Sequence, residues 1–273
     1  MENITQQVKK FWNDRPCNIR HSKKEIGTLE YFEEVEKRRY TVESHILDFA
    51  DFRNCKDKKI LEIGCGIGTD SIMFVKNGGK LTAIDLSETS VELTKERFNV
   101  YNEKAKILVG DAEELSAYIK PEVFDFIYSF GVIHHTPNPP SVLEEIKKFC
   151  SKDTRIRLMF YSKYSWKALE FYSQHGWKFK FNYRKTIQYF AEAQLNCPVA
   201  EVYSLKGLKE LFKDFEIVEI KKDYIFPYII SDYIKGKLKE RLIFRIMPKK
   251  IFKYLESKLG WHYLITLKLK NND

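Results

Sequence analysis

The ten residues from Lys59 to Gly68, K-I-L-E-I-G-C-G-I-G, constrain this chain more than any other stretch. A short apolar run ending beside an acid, Glu62, reads as a buried strand. The alternating Gly64, Gly66 and Gly68 read as the turn that leaves it. Glycine reaches positive φ without strain and carries no Cβ, so backbone in such a turn can approach a small polar ligand closely. A dinucleotide-binding turn spaces its glycines as G-x-G-x-x-G and puts no acid on the strand before them. Here the order is E-x-G-x-G-x-G, followed by Thr69 and Asp70.

From this point strands and helices alternate. Apolar runs at 60–63, 80–86, 106–109, 125–130 and 154–161 read as strands, and 70–76, 90–99 and 141–149 as helices. Asn77-Gly78-Gly79 stops the first of these helices and Ser87 can cap the second. Alternation of buried strands with helices predicts an α/β fold built on a doubly wound, mostly parallel sheet. Its ligand edge is the carboxyl ends of the strands, where Gly64, Asp85, Asp111 and Ser129 fall. A chain of 273 residues can bury such a core unaided, and its five scattered cysteines, with no C-x-x-C pair, read as reduced thiols.

Two segments interrupt the rhythm. Residues 163–198 are aromatic-rich without a strand signal and predict a cover over the ligand edge. A helix at 205–213 and a strand at 215–220 resume the core. A second helical insertion at 228–259, split into two helices by Pro248, then precedes a last strand at 261–269. The organisation expected is a helical N-terminal lid and substrate segment (1–57), a nucleotide-binding core (58–162), the aromatic cover (163–204) and a C-terminal completion of the sheet (205–273).

Asp85 ends the second strand, where a carboxylate can accept from both hydroxyls of a ribose. Asp111 follows the third, where it can meet an adenine amino group or simply cap the helical turn behind it. The fourth strand and its exit, F-D-F-I-Y-S-F-G-V-I-H-H over 124–135, closely resemble the F-D-x-[IV]-x-S-x-x-V-[IL]-H-H segment of class I methyltransferases that use S-adenosylmethionine (SAM). The glycine turn resembles the first motif of the same family, and the likeness covers about residues 58–160. It implies a Rossmann-like sheet of seven strands. It also implies that Glu62, Gly64, Cys65, Gly66 and Gly68 surround the methionine part of SAM, with Asp85 on the ribose, Leu86 beside the adenine and Asp111 and Ala112 at its edge. Ser129 and Phe130 would offer backbone contacts.

His134 and His135 follow the fourth strand on the acceptor side and are the candidate general bases, with His21 a third. The stretch 11–22, F-W-N-D-R-P-C-N-I-R-H-S, brings Arg15, Asn18, Arg20 and His21 together as a clamp for a carboxylate or phosphate. Tyr31 and Arg39 resemble the helix that closes over SAM in related enzymes, while Tyr40, Tyr161 and Trp166 are assigned to the acceptor.

The activity implied is SN2 transfer of a methyl group to an O, N or S atom of a small anionic metabolite, leaving S-adenosylhomocysteine (SAH). An RNA methyltransferase and a non-catalytic SAM-binding regulator are the alternatives. No metal is expected. The net charge of +9 would suit a polyanion, but it follows a general richness in Lys, Ile and Asn. Nucleic acid is therefore not the expected partner, and the basic amphipathic insertion is expected to pack on its own domain, or on a second copy, rather than on a membrane. Residues 1–10 are polar and lack the apolar core of a signal peptide, so a cytoplasmic monomer or homodimer is expected.

Overall fold

Strand β1 (Lys59–Ile63) is buried along four of its five residues because both faces of the sheet around it are covered. β2 (Lys80–Asp85) and β4 (Phe126–Phe130) pair with it in parallel, and β3 (Lys106–Val109) and β5 (Arg155–Tyr161) pair in parallel with β2 and β4 in turn. β6 (Phe215–Asp223) and β7 (His262–Leu269) close the sheet, with β7 antiparallel to both β5 and β6. The order is β3-β2-β1-β4-β5-β7-β6 in the computed structural model, which describes residues 3–195 and 197–270, the side chains of 191–195 excepted. This is the seven-stranded, mostly parallel, Rossmann-like sheet expected. The winding reverses between β1 and β4, which opens a crevice at their carboxyl ends.

The pleat sends successive side chains to opposite layers. Leu61, Ile63, Ile127, Ile156 and Leu158 join one core, and Ile60, Leu81, Ala83, Phe126 and Tyr128 the other. Three helices precede β1: α1 (Ile4–Asp14), α2 (Leu29–Val42) and α3 (His45–Ala50). The crossovers carry α4 (Thr69–Lys76), α5 (Glu88–Val100), α6 (Leu115–Tyr118) and α7 (Pro139–Lys147). Ser87 caps α5, its Oγ accepting from the Ser90 N–H at 3.0 Å. α1 is fastened to the start of α5, where Lys9 and Asn13 both reach Glu88 and the Ser87 hydroxyl donates to the Trp12 carbonyl at 3.3 Å. The N-terminal helix is thereby held across the strand ends.

The aromatic segment after β5 folds as α8 (Trp166–His175) and α9 (Tyr183–Leu195), and α10 (Leu205–Leu211) leads into β6. The second insertion has three helices and not the two expected: α11 (Ile230–Ile234), α12 (Leu242–Arg245) and α13 (Lys249–Leu259). Gly236, at φ +84°, turns the chain back so that Tyr228 and Glu240 form a bridge, and Pro248 makes the second break. No helix among the described residues is long and apolar enough to cross a membrane.

Candidate active site

A cavity of about 620 Å³ lies over the carboxyl ends of β1, β2, β3 and β4 and is roofed by α1 and the turn that follows it. Of the residues singled out in the sequence, Glu62, Gly64, Cys65, Gly66, Asp85, Leu86, Asp111, Ala112, Phe130, His135 and Tyr161 line it from the sheet side. Arg15, Asn18, Arg20, His21 and Arg39 line it from the N-terminal side.

The glycines of the first turn do different work. Gly64 (φ +82°) lies against the Val132 side chain, where an added Cβ would stand 2.2 Å from Cγ2. Gly68 (φ +74°) precedes α4 with Thr94 at its back, and it does not line the cavity. Gly66 (φ +55°) faces open space, with nothing within 4 Å of the Cβ it lacks.

Asp85 steadies this turn. One carboxylate oxygen accepts from the Gly66 N–H at 2.8 Å and the other from the Ser87 N–H at 2.9 Å. Burial pushes its pKa up to about 6 against these bonds. A carboxylate has about four acceptor positions, so roughly two remain for a ligand in the cavity. Asp111 caps the helical turn behind it, its Oδ1 accepting from the Glu113 N–H at 2.9 Å, and the residue also lines the cavity.

Beneath the turn lies a network that sequence reasoning missed. Asp70, in the first turn of α4, accepts from Arg39 Nε and Nη2 at 3.1 and 2.8 Å and from the hydroxyls of Tyr40 and Tyr128, each at 3.0 Å. The bidentate pair fixes Arg39 under the cavity, and Glu43 stands 3.7 Å from its Nη1. Glu62 accepts from the Ser71 hydroxyl, and burial together with the nearby Asp70 pushes its pKa up to about 8. The shift favours the protonated form of Glu62. The available signal was Asp70 itself, two residues beyond Gly68 at a helix N-terminus; its partners lie too far along the chain for any local pattern to reveal.

On the other side, His135 donates from Nδ1 to the Val199 carbonyl at 2.8 Å, the tautomer that this bond assigns. Nε2 then carries a lone pair, and Trp12 meets the ring edge-on at 5.4 Å. Burial lowers the His135 pKa to about 4, so the imidazole is neutral at physiological pH. His21 meets the Tyr233 hydroxyl at 3.1 Å, and burial beside Arg38 lowers it also to about 4. Arg38, Tyr233 and Ile234 line the cavity without having been expected to.

Six of the expected residues stand outside this lining. Besides Gly68, His134 is fully buried against Tyr161, with ring centroids 4.0 Å apart. Ser129 ties β4 to β1, its hydroxyl donating to the Ile63 carbonyl at 2.9 Å. Tyr31 is buried and donates to the Ile19 carbonyl at 2.9 Å, which holds the clamp loop against α2. Tyr40 is turned to Asp70, as described above, and Trp166 packs edge-on against Phe244 in the second insertion, 5.5 Å away. No metal-ligating cluster occurs among the described residues.

Residues 61–158 match the model of the methyltransferase domain family. Over 97 residues the chain is 29% identical to a ubiquinone biosynthesis O-methyltransferase of Hydrogenovibrio crunogenus, a match to 36% of this chain and 40% of that protein. Over 103 residues it is 32% identical to the mitochondrial ubiquinone biosynthesis O-methyltransferase of Schizosaccharomyces pombe, which spans 35% and 36% of the two chains. The chain thus spans about two fifths of the length of the curated relatives it matches. Its whole fold is similar to that of magnesium protoporphyrin IX methyltransferase from Synechocystis, solved with SAH bound: TM-score 0.60 and 13% identity, covering 97% of this chain and 99% of that one. Residues 61–158 are thus similar to the methyltransferase domain family, and the fold of the whole chain is similar to that of a methyltransferase solved with SAH.

Proposed function

We propose that this protein is a SAM-dependent methyltransferase acting on an O, N or S atom of a small anionic metabolite. The observation that carries the reading is the electrical division of one cavity. Asp70, Asp85 and Asp111 reach it from the sheet and α4, whereas Arg15, Arg20 and Arg38 reach it from the N-terminal segment. Unlike Arg39, these three guanidiniums are not paired with a carboxylate among the described residues.

The residues on the sheet side fit SAM. Gly66 offers a cradle that any side chain would fill, Asp85 keeps acceptor positions for ribose hydroxyls, and Asp111 and Ala112 stand where an adenine edge would meet them. When bound, SAM supplies a methyl group on a sulfonium and leaves as SAH. Little chemistry is then asked of the chain beyond aligning an acceptor and excluding water. Residues 1–57 act as the lid, with Phe11 and Trp12 supplying its apolar inner wall. Arg15, Arg20 and Arg38 hold the anionic group of the acceptor. His135 takes a proton at Nε2 where the acceptor atom carries one, while the Val199 carbonyl holds the ring in place.

The test is turnover. Purified protein is incubated with SAM labelled in the methyl group and with fractions of a metabolite extract, and SAH is quantified. Label should pass to an anionic small molecule, and Arg20→Ala and His21→Ala should raise the acceptor KM. SAH binding without turnover on any fraction would support a non-catalytic role. Label passing to RNA, with binding that weakens steeply with salt, would move the acceptor to nucleic acid.

A further inference from the structure

The insertion between β6 and β7 is anchored inward at several points, yet many of its side chains are turned outward. Arg38 donates to the Tyr233 carbonyl at 2.6 Å, Arg241 pairs with Glu170, and Phe244 packs between Trp166 and Phe252 with centroids 5.5 Å from each. Among the outward side chains, large apolar ones stand beside the basic ones. Ile234 is 76% exposed, Ile246 70%, Leu242 60% and Ile230 59%, and on α13 Ile251 and Tyr254 are exposed one turn apart. Large exposed apolar residues paired one turn apart on each of three successive short helices mark an interaction surface. The same stretch, 228–259, carries nine Lys and Arg against three Asp and Glu, which is six of the chain's nine net positive charges.

Charge and apolar content together select the occupant. A second copy docked through this face would bring two surfaces of net +6 together. RNA would be gripped by the lysines but offers branched aliphatic side chains nothing, since bases bind by stacking on aromatic rings. A bilayer of anionic lipid answers both features, with an acyl boundary for isoleucine and leucine and headgroups for lysine and arginine. We infer that the 230–254 face docks on the surface of an anionic phospholipid bilayer, lying on it and not crossing it. Tyr233 and Ile234 also line the cavity, so docking brings the cavity mouth to the lipid surface.

Vesicle flotation of the full chain tests this. The protein should float with phosphatidylcholine vesicles containing phosphatidylglycerol and remain largely in solution with phosphatidylcholine alone. Each basic residue near the surface is worth roughly fivefold, so the double variant K249E, K250E should weaken binding by at least roughly twentyfold. The triple variant I234S, L242S, I246S should weaken it at least roughly tenfold through lost apolar insertion. These side chains are exposed, so both variants should melt with the parent protein, and a melt that stays put certifies the fold. Failure to float with phosphatidylglycerol vesicles, or flotation undiminished in the triple serine variant, overturns the inference. So does a lipid-free dimer that the triple variant dissolves, or tighter binding to a mixed-sequence RNA than to the vesicles.

Discussion

Alanine at Gly66 and alanine at Gly64 should fail for different reasons, and the difference tests whether the turn is built for a ligand. Both glycines have positive φ, which costs an L-residue about 1–2 kcal/mol. At Gly66 that is the entire structural cost, because the new Cβ meets nothing within 4 Å. With roughly 2–4 °C of melting temperature per kcal/mol for a chain of this size, Gly66→Ala should lower the melt by roughly 2–8 °C and leave the far-ultraviolet spectrum unchanged. At Gly64 the Cβ would stand 2.2 Å from Val132 Cγ2, so β1 and the loop after β4 must part. Overpacking adds about 1–3 kcal/mol, for a total of roughly 2–5 kcal/mol. That is a large share of the roughly 5–15 kcal/mol by which a domain is stable.

Ligand affinity should run the other way relative to stability. The Gly66→Ala methyl projects into the cavity and displaces whatever lies against the turn, so SAH affinity measured calorimetrically should fall at least about tenfold, or 1.4 kcal/mol, in a protein that is otherwise sound. Gly66→Val should abolish measurable binding. Unaltered SAH affinity in Gly66→Ala and Gly66→Val, both still folded, would refute the reasoning that this backbone is kept bare for a ligand.

The two adjacent histidines should separate cleanly. His135→Ala should lower kcat by about 10²-fold or more with SAH affinity unchanged, whereas His134→Ala should destabilise by about 2–4 kcal/mol in a denaturant titration, because it empties a fully buried site. Arg39→Ala breaks a buried bidentate pair and should cost about 3–5 kcal/mol; Arg39→Lys restores the charge but not the fork and should recover only part of it. A full recovery by lysine would show that geometry at Asp70 does not matter. The pH dependence of stability should carry the mark of Glu62. Its folded pKa of about 8 lies above the ordinary 4.5, so the folded state keeps a proton that the unfolded chain has released. Apo stability should therefore fall as pH rises through that window. Glu62→Gln should flatten the slope above about pH 6, where Asp85 no longer contributes, and a melting series with the same slope in both proteins would contradict the assignment.

Much of the fold was legible because parallel strands buried on both faces become apolar runs, and what such a sheet binds collects at their carboxyl ends. Glu62, Asp85 and Asp111 could be placed from strand endings alone. Long-range partnerships were not legible. Asp70 meets Arg39 from 31 residues away and Tyr128 from 58, and no local spacing encodes either distance. Trp166, expected at the acceptor, turns instead to Phe244 in a segment that the sequence could not bring beside it. His134 and His135 are neighbours in one 3-10 turn, Ile133–His135, which sends consecutive side chains in different directions. One ring is set against Tyr161 and the other into the cavity.

The second insertion shows most plainly what pattern reading misses. An amphipathic argument assumes one continuous helix whose apolar stripe finds a single partner. Gly236 and Pro248 cut this segment into three short helices, and Tyr233, Arg241, Phe244 and the inner side of α13 return to the domain. The remaining isoleucines and leucines are left outside by the same breaks that fold the segment. Arg38 then links this exterior to the interior. It grips the Tyr233 carbonyl and lies over the Tyr233 ring at 4.3 Å, while its guanidinium lines the cavity beside His21. A rigid-body shift of α11 on a lipid surface cannot leave that guanidinium where it was. The acceptor side of the cavity and the outward face are thus coupled through one side chain, so the double variant L242S, I246S, which leaves the cavity lining intact, should leave the acceptor KM measured without vesicles unchanged and abolish any shift in it when phosphatidylglycerol vesicles are added.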